Sequence, residues 1–229
     1  DSIGFKAHWW GILGLIGWSY LITGLSYLFL RKSFFSIIIM FSIFLGLNIL
    51  NSSGIAYNVF SWQSKDWIPG SGGLQAMVLG GIITSLVLMK YKEVGSMKKL
   101  YSTFLGMGLF SLFLGLYLRQ YYIISKISGT PTWILISLSS AIFLYILLHW
   151  IVDTRGMTSW YGPIKIAGTA TLTCYLIPYF YNSLRTILNI QLPLLFTTGI
   201  IGLLKSIVYT SIIIILAWSF TKRKVQLKI

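Results

Sequence analysis

Charged residues are scarce in this sequence, 10% of 229, and acidic ones scarcer still: four Asp and Glu stand against 18 Lys and Arg. With 56% hydrophobic residues, that balance excludes an ordinary water-soluble domain. A single cysteine, Cys174, excludes an internal disulfide. Two distant histidines and that cysteine make no metal site of recognisable spacing, so neither zinc nor redox chemistry has support and no metal is expected. No basic segment precedes a short apolar stretch at the start, which is Asp1 rather than methionine, so no ordinary signal peptide is in view.

What the sequence does have is long apolar runs. A helix needs ~20 such residues to cross a ~30 Å hydrocarbon layer. Seven windows approach or exceed that: 9–30, 34–50, 73–89, 100–118, 132–152, 166–184 and 195–220, the second and third being short. The expected fold is all-α, a polytopic integral membrane helix bundle, with 1–229 forming one transmembrane domain.

The basic residues set an orientation. Arg31, Lys32, Lys90, Lys92, Lys98, Lys99, Arg155, Lys165, Lys222, Arg223, Lys224 and Lys228 follow the first, third, fifth and seventh runs; Lys6, Lys65, Arg119, Lys126 and Arg185 lie on the other side. The positive-inside rule then places the C-terminus in the cytoplasm and the N-terminus outside. The long loop 51–72, with Tyr57, Phe60, Trp62 and Trp67, faces outward as a candidate lid. Because the net charge of +14 is spread along such loops, it reads as topology and contact with anionic lipid, not as a nucleic-acid surface.

Lys205 falls inside the last run, ~22 Å from Phe220 at 1.5 Å per residue, close enough to the outer edge of the bilayer to snorkel. Gly11, Gly14, Gly17 and Gly24 give the first run a smooth face, as do Gly80 and Gly81 in the third and Gly106, Gly108 and Gly115 in the fourth, which suits close helix packing. The sixth run carries Thr169, Thr171, Thr173, Cys174, Tyr175 and Asn182, costly in lipid unless they face protein or water, and Pro178 predicts a kink.

The chain's few titratable groups come close at "LLHWIVDTRGMTSWYG", where His149 and Asp153 are four residues apart. On one helical face, a carboxylate could orient an imidazole as a base. The same spacing suits a helix end, with Gly156 terminating it and Asp153 offset by Arg155 or Lys165.

The segments "SGTPTWILISLSS", "HWIVDTRGMTSW" and "AGTATLTCYLIPYF", and the basic stretch "KRKVQLKI", occur in the order found in one family. With "HWWGILGLIGWSYLI" and "GLQAMVLGGIITSLVLMKYK" they resemble a bacterial branch of the heparan-α-glucosaminide N-acetyltransferase family. The resemblance covers nearly the whole chain and corresponds to the last seven of about eleven spans, implying the C-terminal portion of a longer protein. It implies transfer of an acetyl group from cytoplasmic acetyl-CoA to an amino sugar or glycan on the periplasmic side of a bacterial inner membrane.

On this resemblance Trp133, Ser137, Asp153, Gly156, Gly168, Thr171 and Tyr175 lie in motifs lining or supporting the acyl-donor cavity. Arg155, Lys165, Lys90 and Lys92 are the cations available for the CoA phosphates. The family's histidine-bearing motif belongs to its first spans and has no counterpart here. Ala170 stands where an asparagine is expected, and His149 where no histidine is required. Other expected functions are a sugar or small-molecule transporter, its pathway lined by the sixth-run polar residues and glycine faces, and a non-catalytic membrane subunit. The expected partners are membrane lipids, the sugar substrate and, through the glycine faces, a second copy of the chain.

Overall fold

A computed structural model describes residues 11–56, 70–162, 164–189, 193 and 198–223. Every regular element among them is helical. The chain forms two compact units, Asp1–Trp150 and Ile151–Ile229. Five described helices are long and apolar enough to cross a membrane: Phe34–Ser52, Gly73–Val94, Met97–Leu118, Pro131–Thr154 and Gly199–Lys222. Large side chains such as Phe29 (83% exposed) and Phe110 (69%) point away from protein, and only lipid makes that arrangement stable. The chain is an integral membrane protein.

The first unit holds α1 (Ile12–Leu30), α2 (Phe34–Ser52), α3 (Gly73–Val94), α4 (Met97–Leu118) and α5 (Pro131–His149). Local chemistry sets their ends. Ser33 caps α2 by accepting from the Ser36 N–H at 3.3 Å. Gly95 takes a left-handed conformation (φ 69°) after α3, its N–H reaching Lys92 O while Ser96 N–H reaches Tyr91 O, the paired bonds of a Schellman stop. Pro131 opens α5 at the position where its missing N–H costs nothing.

The α3 helix therefore runs to 22 residues, past the apolar window ending at residue 89, because Lys90 and Lys92 are as helix-compatible as the residues before them. The last turn of α5 widens into a π-helical segment, Trp150–Thr154, closed by Gly156 at φ 64°. The glycine stop expected there is present.

Glycines decide how closely these helices approach. A Cβ at Gly108 would lie 2.5 Å from Phe143 Cε1, and one at Gly115 2.9 Å from Ile136 Cγ1, so α4 and α5 meet in backbone-level contact. The buried Ser139 hydroxyl completes that seam by donating to Gly108 O at 2.8 Å. Gly80 meets Leu138 of α5 in the same way, whereas a Cβ at Gly17, Gly24, Gly81 or Gly106 would meet nothing within 4 Å. Close packing thus explains Gly80, Gly108 and Gly115, but not Gly17 or Gly24 of α1.

In the second unit are α6 (Lys165–Thr169), α7 (Thr171–Ile187) and α8 (Gly199–Lys222). The sixth apolar run is interrupted at Ala170 (φ −119°, ψ 44°), ahead of Pro178, and α7 continues through that proline. At 17 residues α7 spans ~26 Å, and it is strongly amphipathic, so it does not meet the length of the five long apolar helices. The Tyr181 and Tyr209 rings meet at 5.1 Å between centroids, tilted by 51°, and join α7 to α8. Lys205 lies half-buried on α8.

Candidate functional site

The short connections between α1 and α2 and between α3 and α4, with Gly72 against Phe44 of α2 and Gly108 and Gly115 against Phe143 and Ile136 of α5, set α1, α3 and α5 antiparallel to α2 and α4. Unit 1 consequently has two chemically different ends. The end where α1, α3 and α5 finish carries Arg31, Lys32, Lys90, Lys92, Lys98 and Lys99; among the described residues the other end has only Arg119 and Lys126.

At the basic end His149 meets the second turn of α4. Tyr101 Oη and His149 Nδ1 lie 2.9 Å apart, and in the tautomer with hydrogen on Nε2 the phenol donates to Nδ1. Tyr145 flanks the imidazole at 5.9 Å between ring centroids, and Phe104 packs on Tyr145 at 5.8 Å. The hydrogen bond assigned to His149 is therefore with a phenol. Asp153 sits in the π-helical turn Trp150–Thr154 that follows α5.

The opposite end is held by an amide. Asn48 of α2 is fully buried, and its Nδ2 donates to Gly129 O at 2.9 Å and to Ser71 O at 3.3 Å, tying α2 to the segments that start α3 and α5. Its Oδ1 is buried without a partner among the described residues. Gly72 and Gly73 allow this approach: a Cβ at either would fall 2.7 Å from Phe44 O or from Ile134 Cδ1. Beside this staple is a cavity of about 560 Å³ lined by Asn51, Ser52, Ser71, Tyr121, Tyr122 and Thr130, among others. Thr130 accepts from Ser125 N–H at 3.1 Å, and the buried Thr132 donates to Tyr122 O at 3.0 Å, fixing the loop that forms its wall. The Tyr121 phenol is raised above its ordinary value, first by its hydrogen bond with Tyr117 and then by that neighbour's charge.

The residues assigned to an acyl-donor cavity divide between the units. Trp133 and Ser137 lie half-buried on α5, Trp133 packed against the main apolar core of unit 1. Arg155, Lys165, Gly168, Thr171 and Tyr175 belong to unit 2. There Lys165 is exposed and its carbonyl accepts from Thr169, Gly168 has open space where a side chain would be, and Tyr175 shares a 2.7 Å hydrogen bond with Tyr179. Among the described residues no cluster of three His, Cys, Asp or Glu is placed to hold a metal. The candidate lid residues Tyr57, Phe60, Trp62 and Trp67 lie outside the described residues, as do Lys224 and Lys228.

Two residues central to this geometry, Asn48 and Tyr101, were not singled out from the sequence. Asn48 was visible as the lone amide in "FLGLNIL", a polar group that a membrane helix retains only where it is paired. Tyr101 had no signal, because its role depends on which residue α5 brings opposite it. Comparison with known proteins finds no matching family model, no matching curated protein and no matching solved structure.

Proposed function

We propose that the chain is the C-terminal, seven-span portion of a membrane acyltransferase that moves an acetyl group from cytoplasmic acetyl-CoA to an amino sugar or glycan on the periplasmic side of a bacterial inner membrane. The observation that carries this reading is the order of the motifs from "SGTPTWILISLSS" to "KRKVQLKI". Charge supports it: the basic end of unit 1 suits the cytoplasm, where the CoA phosphates need cations, and the opposite end is lined by hydroxyl, amide and phenol groups. Acetyl-CoA is too large and polar to cross, so such an enzyme must let the thin pantetheine arm reach between helices while the phosphates stay at the basic mouth. In the transfer, the acceptor amine forms the new C–N bond as the thioester C–S bond breaks, and a base takes the amine proton. No described residue is assigned as that base.

The test is transfer of labelled acetyl from acetyl-CoA to glucosamine and related amino sugars by membranes carrying the complete gene product. No transfer to any sugar acceptor, together with sugar uptake into proteoliposomes without CoA, overturns this reading in favour of transport.

A further inference from the structure

The α1–α3 side of unit 1 carries a groove of about 620 Å³, lined by Tyr20 and Tyr27 of α1 and by Met77, Gly81, Ser85 and Met89 of α3, with other apolar residues between them. Gly81 leaves its floor unfilled, since a Cβ there would meet nothing within 4 Å. The Ser85 hydroxyl turns back onto Gly81 O at 2.9 Å, so the α3 wall is mainly apolar, and the Tyr20 and Tyr27 phenols lie on the α1 wall. From Met77 to Met89 the groove follows α3 for ~18 Å, close to the ~15 Å depth of one leaflet.

The two walls run parallel and both finish at the basic end. Helical register continues each stripe of lining residues toward a cation: Tyr27 is followed one turn later by Arg31, and Met89 by Lys92 with Glu93 next to it, all three exposed, while Lys90 and Lys32 keep this end net positive. A channel one leaflet long, apolar along its length and cationic at its headgroup end, matches a lipid in both shape and charge.

We propose that this groove binds an anionic phospholipid, one acyl chain lying along Gly81 and the phosphate resting on Arg31 and Lys92. This requires the chain to lie in a bilayer but does not depend on acyl transfer. It assigns Lys92 to lipid rather than to CoA.

Native mass spectrometry of the purified full chain, offered dioleoyl phosphatidylglycerol, the matching phosphatidylcholine or glycerol phosphate, tests it. Phosphatidylglycerol should be retained preferentially and glycerol phosphate not at all. Arg31→Gln and Lys92→Gln should each lower the preference about fivefold, as expected for one cation at a lipid surface. Gly81→Leu should lose both lipids while the helices remain folded. Should that variant fail to fold, a phospholipid with a photoreactive acyl chain, applied to the unaltered protein, should label residues between Met77 and Met89. Equal retention of the two lipids, undiminished retention by a folded Gly81→Leu protein, labelling elsewhere, or a cross-link between two copies at Gly81 would each overturn the proposal.

Discussion

Replacing Asn48 by aspartate changes one NH₂ to oxygen at nearly constant shape, and so isolates the donor role of the staple. In the native structure that nitrogen donates twice, at 2.9 and 3.3 Å, from a side chain with no exposure. Hydrogen bonds of this kind contribute roughly 0.6 kcal/mol each within membrane bundles and up to about 1.5 elsewhere, so Asn48→Ala should cost about 1–3 kcal/mol. Asn48→Asp should cost more, about 3–5 kcal/mol, because a carboxyl oxygen would face the Gly129 carbonyl, leaving either a buried charge or at most one donor for two acceptors. Unfolding in mixed micelles by increasing denaturing detergent, followed by tryptophan fluorescence, ranks the three proteins. An aspartate variant no less stable than the alanine variant would refute the argument that two donated bonds hold this end of the unit.

Other perturbations separate packing, charge and chemistry. On α4, Gly108→Ala should cost about 1–3 kcal/mol through its clash with Phe143, while Gly106→Ala, opening into free space on the same helix, should be neutral or stabilising by about 0.5–1 kcal/mol in the same micelle assay. His149→Gln should leave labelled-acetyl transfer within about twofold, because the residue's contacts are with Tyr101 and Tyr145; loss of transfer in a folded variant would make His149 a participant. Because Tyr117 raises the Tyr121 phenol, its contribution to stability should be complete below the ordinary tyrosine value near 10 and lost as pH rises through the higher folded value. Tyr117→Phe should move that phenolate transition, read by ultraviolet absorbance, to lower pH. In a Cys174→Ser background, an impermeant maleimide added to intact cells should label Ile127→Cys and spare Val94→Cys; the reverse pattern would invert the orientation.

The helices were legible in the sequence because lipid demands continuous apolar length, and α1 to α5 and α8 follow the runs closely. Their ends were less legible. The run from residue 73 was cut at Lys90, where hydropathy stops but helix propensity does not. The sixth run gave its break to Pro178, whereas the backbone departs at Ala170, beside the glycine and threonines that precede the amphipathic helix. Polar residues also proved a poor guide to which faces turn inward. Ser42, Ser85, Ser140 and Ser206 are exposed and each donates to a carbonyl of its own helix, so a hydroxyl in a span need not imply a protein neighbour. Asn48 and Tyr101, which do reach across helices, are single residues whose partners no spacing rule could supply.

That contrast bears on how the protein is made. A helix whose hydroxyls are satisfied internally can enter lipid as soon as it leaves the ribosome, indifferent to the helices still to be synthesised. The Asn48 amide cannot, because its better acceptor, Gly129 O, lies 81 residues further along the chain. At ~5–20 residues per second, α2 must wait roughly 4–16 s of synthesis with that donor unmet, although Ser71 O, 23 residues along, can take the other sooner. During that interval water or the insertion machinery has to shelter the amide, so the last step in securing this end of the unit is the arrival of the residues that begin α5.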